Sequence, residues 1–347
     1  MGIGGPQKVF SSVKSFSARG KLLSKKELQT LAESRDLDEL VTRIKNTAYA
    51  DSISKLTTPF TPEKIEALLR SRLAEVHYSL GKSVGGSAVL KAYYLKLLIW
   101  NLKLIFKGKV LGIPSEQIES RINLRAEELI GRRDIIVKAL VAKDLEETVA
   151  SLSGTVFGEE IAKAATAYND TKNIQVFDTY FDKILIQQLS SALKKSGDKD
   201  LSRPVSMDID FYNLLSTLRG KFWKLDEQQI QDLIVTYTSS VPADLIVRMI
   251  AAPSIRDALN ELSSTSYSDL VPQSENDIDA ISEFEHAFEM AIFNKAKNTF
   301  SRMFSNATSV GIAKLTAFEV RNLGSIAYAV EQKIPVQTTM SKLIVEK

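Results

Sequence analysis

The sequence predicts an all-α protein made of three tandem copies of one helical unit, and three observations carry that reading. The first is a block that occurs three times: DLDELVTRIKNTAYAD from Asp36, DLEETVASLSGTVFGE from Asp144 and SIRDALNELSSTSYSD from Ser254, 108 and 110 residues apart. In this register Leu37 meets Leu145 and Ile255, Val41 meets Val149 and Leu259, and Ile44 meets Leu152 and Leu262. Thr47, Thr155 and Thr265 follow, then the aromatics Tyr49, Phe157 and Tyr267, then the acids Asp51, Glu159 and Asp269. The second is a later block, Asn101-Leu102, Asn213-Leu214 and Asn322-Leu323, spaced 112 and 109 residues apart. Twelve residues beyond each Asn stand Ile113, Leu225 and Ile334, followed by Pro114, Asp226 and Pro335, residue types that start helices. The third is that no stretch alternates apolar and polar residues with the β-branched enrichment of strands.

Taken in order, the chain divides into units at 1–125, 126–240 and 241–347. Met1 to Gln7 is expected to be a loose end, and Ser24-Lys25-Lys26-Glu27 has the form of a capping box ahead of a helix through Leu28 and Leu31. The first repeated helix follows, its apolar residues at 37, 40, 41 and 44 forming one buried stripe. Thr61-Pro62-Glu63 then supplies an N-cap, a proline for the first turn and an acid on the positive end of the dipole, opening a helix expected to run to Leu80. After a hinge-like Gly81 to Ser87 comes the most apolar helix, Ala88 to Phe106. On it Asn101 points roughly 140° away from the stripe of Lys96, Lys103 and Lys107, so it is expected to be buried and bonded to a neighbouring helix end.

The second unit begins near Arg132, and Phe177, Phe181, Ile184 and Leu185 form its middle helix. A polar loop is expected from Lys194 to Pro204, with Asp208 and Asp210 as capping groups at the start of the next helix. The third unit begins near Pro242, carries Phe284, Phe288 and Ile292 on its middle helix, and reads Thr316-Ala317-Phe318-Glu319 as a capping box opening the helix of Asn322. A period near 110 is far longer than solenoid repeats, so these are three small helical domains. Three similar bodies joined head to tail close into a ring when each step turns near 120°, leaving a socket about a pseudo-threefold axis.

Composition narrows the function. With 44% hydrophobic and 25% charged residues the chain can bury a core, and a net charge of +3 over 347 residues shows no global bias toward nucleic acid. There is no cysteine, hence no disulfide or thiolate chemistry. No signal peptide is read at the start, and the most apolar stretch, Tyr93 to Phe106, is interrupted by Lys96 and Lys103 and too short to span a bilayer. The two histidines, His77 and His286, stand apart, and no metal spacing, phosphate loop or nucleophile elbow is present; Gly85-Gly86 lies between helices. No catalytic residue, cofactor or metal is therefore expected. Basic residues cluster at two comparable helix ends, Lys103, Lys107 and Lys109, then Arg219, Lys221 and Lys224, whereas the third unit has Tyr328 and Val330 there. Such cations serve the helix dipole, a partner or, in the alternative reading, nucleic acid or a general protein scaffold role.

The pattern [IL]-x-x-T-x-[YF] closing a first helix and N-L on a late helix, three times in register and with an opening Ser17-Ala18-Arg19 and Leu22-Leu23, resembles the C-type subunit family of archaeal and vacuolar-type rotary ATPases, whose eukaryotic member is the d-type subunit. The resemblance covers essentially the whole chain. It implies a funnel of three helical domains, without catalysis of its own, that couples the central stalk, with its D-type and F-type subunits, to the membrane rotor ring. It implies a place on the cytoplasmic face, with membrane association only through those partners and no nucleic acid. Lys107, Lys109, Arg219 and Lys221 are the expected partner contacts. The middle unit departs from the pattern, with Leu225-Asp226 in place of the Ile-Pro of the other two.

Overall fold

The protein is described by a computed structural model covering residues 5–85, 87–236 and 241–346; the readings that fall on Met1 to Gly4 and on Gly86 lie outside the described residues. The described residues form helices and no strand. The first copy contains α1 (Gly5–Arg19), α2 (Lys25–Ala32), α3 (Leu37–Ile44), α4 (Ala50–Ile53), α5 (Pro62–Ser83), α6 (Ala88–Val110) and α7 (Ser115–Glu119), and α8 (Arg125–Ile130) straddles its boundary with the second. The second contains α9 (Arg133–Val141), α10 (Leu145–Ser151), α11 (Gly158–Thr171), α12 (Gln175–Ser196), α13 (Lys199–Phe222) and α14 (Glu227–Leu233). The third contains α15 (Ala243–Ala251), α16 (Ile255–Asn260), α17 (Asp277–Asn298), α18 (Ala307–Glu331) and α19 (Val336–Lys342).

Two compact units are present, one of Met1–Ser153 with Phe293–Lys347 and the other of Gly154–Ile292. In the first, α18 lies along α5 and against α2 and α3, around a core that includes Leu40, Val41, Ile44, Leu69, Val320, Leu323 and Ile326. The same unit packs α6 on α9 and α10. In the second, α13 packs on α12 and on α15 and α16, with Phe288 close to Tyr267, ring centroids 4.7 Å apart. A rule emerges: the long late helix of each copy packs on the first two helices of the next, and α18 returns from the third copy to the first. The repeat in sequence and the unit of packing are thus different objects.

Local chemistry explains both repeated blocks. Asp36, Asp144 and Ser254 cap their helices by accepting from the backbone N–H of Glu39, Glu147 and Asp257 at 2.8, 2.9 and 3.0 Å. At the other end, Thr47, Thr155 and Thr265 each accept from the N–H of the aromatic residue two positions on, at 3.1 Å in every copy. That turn drives Tyr49, Phe157 and Tyr267 inward, where all three are buried.

The repeated Asn does more than meet a helix end. Asn101, Asn213 and Asn322 each donate from Nδ2 to the carbonyl of the residue 22 positions on, Asn123, Val235 and Ile344, at 2.8, 3.0 and 2.8 Å. Each also accepts on Oδ1 from the N–H of that same residue, at 3.3, 2.9 and 3.0 Å. A side-chain amide therefore pairs with a main-chain amide as a neighbouring strand would.

Between those two points the chain turns on a Schellman motif. Ile113, Leu225 and Ile334 donate to the carbonyls of Gly108, Gly220 and Ala329 at 2.8, 3.0 and 2.9 Å. The left-handed residue of each turn is Gly112 at φ 64°, Lys224 at 57° and Lys333 at 53°. Only the first copy has the residue that adopts this conformation without steric cost.

Several expected boundaries move. The helix α1 begins at Gly5, so the loose end does not extend through Gln7, and α5 runs through Gly81 to Ser83. The expected loop at Lys194 to Pro204 is nearly all helical: α12 reaches Ser196, α13 starts at Lys199, and Pro204 sits inside it. Burial of Leu201 and Val205 on that turn outweighs the polar composition. Asp210 is no cap, because α13 begins eleven residues earlier and buries it. The capping box at Thr316 is likewise mid-helix: α18 starts at Ala307, and the Thr316 hydroxyl donates to the Ile312 carbonyl at 2.9 Å.

Two substitutions test these local arguments. Asn213→Leu keeps the size but strands the buried N–H and C=O of Val235, so chemical denaturation should show a loss of about 2–4 kcal/mol. Lys224→Gly relieves the left-handed backbone at an exposed position and should raise stability by about 0.5–1 kcal/mol in the same assay.

Candidate functional site

The late-helix ends hold the four basic residues expected to meet partners, and most of their donors are engaged within the chain. Lys109, near the end of α6, donates from Nζ to the carbonyls of Leu140 at 2.9 Å and of Ala142, and to Ser115 Oγ at 3.0 Å. Lys221, on α13, donates to the carbonyls of Ile250 at 2.8 Å and of Ala252. Those carbonyls end α9 and α15, so each lysine places its cation on the negative end of the next copy's first helix. Burial holds the Lys221 ammonium below its usual pKa. In the third copy the register puts Val330 there, and it is buried.

Two residues earlier the side chains differ in kind. Lys107 is half-buried, Arg219 pairs with Glu285 at 2.9 Å, and Tyr328 donates its hydroxyl to Glu63 Oε1 at 3.1 Å. Burial and the bond to Glu63 push the Tyr328 hydroxyl up to about 12.

Buried acids are what sequence reasoning missed. Glu319, on α18, accepts from the Tyr49 hydroxyl at 2.5 Å and from the Leu23 N–H. Asp210, on α13, accepts from the Tyr267 hydroxyl at 2.7 Å. Both acids stand three residues before the repeated Asn, and the position in register in the first copy is Leu98. The aromatic of the second copy is Phe157, so one copy lacks the acid and one lacks the hydroxyl. The register of the three copies carries that signal.

Glu319 sits on the wall of a half-open cavity of about 320 Å³ lined also by Arg19, Lys25, Leu315, Asn322 and Glu346. Burial pushes its carboxyl up to about 7, with the bonds from Tyr49 and Leu23 offsetting part of the shift. On α5, His77 is buried, and its Nε2 lies 3.0 Å from the Ala313 carbonyl, which only a protonated Nε2 can approach as a donor. Burial lowers the pKa of His77 to about 4, leaving the ring neutral.

These groups hold helices together. Among the described residues no set of three His, Cys, Asp or Glu side chains is placed to bind a metal ion, and no described helix is long and apolar enough to cross a membrane. Fold and contacts define a helical protein built by internal repetition, its repeated polar groups engaged in hydrogen bonds with the main chain. The chain belongs to the ATP synthase (C/AC39) subunit family, which matches residues 13–342. It is 26% identical to the A-type ATP synthase C-type subunit of Methanocaldococcus jannaschii, over 94% of this chain and 84% of that protein. It is 28% identical to the corresponding subunit of Thermococcus onnurineus over 90% and 84%. With that of Pyrococcus horikoshii the identity is 24% over 92% and 85%.

The two shifted groups give opposite pH dependences. His77, with its pKa depressed, contributes stability that is present above its usual value near 6.5 and lost as pH falls toward 4. Glu319, with its pKa raised, contributes stability that is present below 4.5 and lost as pH rises through 7. Glu319→Gln should therefore gain on the parent protein between pH 4.5 and 7, by on the order of 2–3 kcal/mol in denaturation midpoints converted to free energy. A difference that stays flat with pH would show that Glu319 does not titrate in the fold.

Proposed function

We propose that this chain is the C-type subunit of an A-type rotary ATP synthase, where it couples the central stalk to the membrane rotor ring and has no catalytic activity of its own. The family match over residues 13–342 and the relatives that bear this name carry the reading. In it the three copies, 1–125, 126–240 and 241–347, stand as domains about a pseudo-threefold axis and form a funnel on the cytoplasmic face. The packing rule supports it: a late helix that always seats the next copy's first helices, and that returns from α18 to α2 and α3, is the contact set a closed ring of three needs. An adaptor of approximate threefold symmetry can meet a symmetric ring on one face and an asymmetric stalk, with its D-type and F-type subunits, on the other.

The late-helix ends, with Lys107, Lys109, Arg219 and Lys221, are the proposed contact surface. Lys109 and Lys221 act there by fixing the helix ends they cap, and Lys107 and Arg219 stand two residues before them on the same helices. Partly desolvated charges at such a rim set register and association rate.

The chain has no cysteine, so single substitutions give clean probes. Cys at Lys107, Arg219 or Tyr328 should crosslink to a stalk or ring protein in the assembled complex, at yields well above exposed controls at Glu33 and Lys194. Yields no higher than the controls at all three positions would refute the contact surface, and three copies of the chain per complex would refute the reading that one chain by itself forms the funnel.

A further inference from the structure

Glu319 and Tyr49 meet where a proton can change hands. Glu319 is on α18 and Tyr49 stands between α3 and α4, and both side chains are buried. Glu319 Oε2 lies 2.5 Å from the Tyr49 hydroxyl, and Oε1 accepts from the Leu23 N–H. An N–H only donates, whereas a hydroxyl both donates and accepts. Leu23 therefore keeps Oε1 an acceptor, and the proton of the neutral acid sits on Oε2, where Tyr49 turns from donor to acceptor. Burial, and then the neighbouring acid, hold the Tyr49 hydroxyl well above its usual pKa, so the proton that comes and goes is the carboxyl's.

The cavity supplies both a path for that proton and a wall that can move. It is half open to solvent, and Glu319 is part of its lining. Another part is Leu22, Leu23, Ser24 and Lys25, where the non-helical link after α1 enters α2. Because Leu23 also donates to Glu319, the carboxyl ties this link to α18. From Gly20 to Lys25 every residue is exposed or half-buried, whereas Leu28 and Leu31 just beyond belong to the core. A segment with so little burial opens at lower cost than the helices it joins.

The charges around Glu319 do not neutralise it. Arg19 comes from α1, Lys25 and Glu27 from α2, Arg72 from α5, Lys297 from α17 and Glu346 from the segment after α19. The other elements packed on α18 bring apolar side chains: Leu40, Val41 and Ile44 from α3, Met340 from α19, and Phe300 from the turn at Thr299–Ser301. Lys297 is paired with Glu346, and the Arg19 guanidinium lies over the Phe300 ring, 4.8 Å from its centre. Burial is the largest influence on the carboxyl; the bonds from Tyr49 and Leu23 and the charge of Arg72 offset part of it, and Glu27 adds to it. An ionised Glu319 in this wall gains by taking on water.

We infer that Glu319, Tyr49 and the Leu23 amide form a proton-operated latch: the neutral acid keeps the link between α1 and α2 seated on α18, and ionisation releases the link so that water enters the cavity. The change is local, with the core around Leu69, Leu323 and Ile326 left in place. Linkage sets its sign. The closed state holds the carboxyl up at about 7 against an ordinary 4.5 once the link is open, so opening becomes more favourable as pH rises from 4.5 and levels off above 7. Each unit of that difference is a factor of about ten in the opening constant.

Amide hydrogen exchange of the full chain reads the latch, followed by mass spectrometry on the peptide from Gly20 to Leu28 and corrected for the intrinsic rate at each pH. Opening should rise at least about tenfold between about pH 5 and 8 and then flatten, while peptides from α5 keep their protection. Glu319→Gln copies the neutral acid, since its oxygen accepts from Leu23 and its amide donates to Tyr49, so the link should stay protected at every pH. Tyr49→Phe installs the residue that the second copy has in register, Phe157, and removes a bond that favours the ionised acid, so the rise should extend to higher pH. Exchange at the link that ignores pH in the parent, a rise that persists in folded Glu319→Gln, or equal opening of α5 would overturn the inference. Should Glu319→Gln lose its fold, Tyr49→Phe decides: an unmoved midpoint overturns it.

Discussion

The pairing of one asparagine amide with one main-chain amide, made three times, is the constraint on which the rest of this fold depends. Each late helix is long, and the chain leaving it must turn, run through a short helix and come back. The Asn clasp fixes where it comes back, because both its bonds reach a single residue 22 positions on. Neither partner can be lost without penalty: Asn213 and Val235 are both buried, and a stranded amide there costs on the order of 1–3 kcal/mol per group. The clasp also sets the tightness of the intervening turn. A Cβ added to Gly220 would meet Ile230 Cγ1 at 2.8 Å, and Gly108 faces Ile118 in the same way. The third copy has Ala329 and Thr339 at these positions, a larger residue opposite a smaller one.

Around that fixed frame the copies differ in what holds the next copy's first helices. A lysine caps the following helix in the first and second copies, whereas the third has buried Val330. A tyrosine hydroxyl meets a buried acid at Tyr49 with Glu319 and at Tyr267 with Asp210, whereas the second copy has Phe157 in place of the tyrosine and the first has Leu98 in place of the acid. With neither hydroxyl nor acid at those two positions, no polar group there is left in need of a partner. The frame is thus equal three times over and the joints are not.

How far the sequence could be read follows from the range of each interaction. The helix caps at Ser24, Thr61 and Asp226 are local, three-residue events, and they stand where the pattern predicts. The burial of Asn101 followed from helical geometry alone, but its partner at Asn123 did not, since a contact over 22 residues leaves no local mark. Errors arose where tertiary burial overrode local chemistry. Thr316 and Glu319 have the spacing of a capping box, yet the small residues from Ala307 onward pack so closely that the helix begins nine residues earlier. Lys194 to Pro204 is polar enough for a loop, but Leu201 and Val205 need the helix to reach the core. The basic helix ends resemble partner contacts because a lysine that caps a distant helix and one that waits for a partner have the same sequence.

Once the polar groups are accounted for, the helix ends can be weighed as surfaces. Lys109 and Lys221 have committed their ammonium groups to carbonyls, so a partner arriving there would first have to compete with bonds already made. What lies open beside them is apolar: Leu111 after α6, Phe222 at the end of α13 and Ile334 after α18 are all exposed, each within a few residues of a Schellman turn. Those turns are rigid, so an apolar side chain carried on one loses little further entropy when it is covered. A protein whose polar chemistry is consumed internally can still bind firmly through a few preorganised apolar edges, with neighbouring charges setting orientation. The three side chains differ in kind and in register: Leu111 stands two residues before Ile113, Phe222 three before Leu225, and Ile334 itself closes its turn.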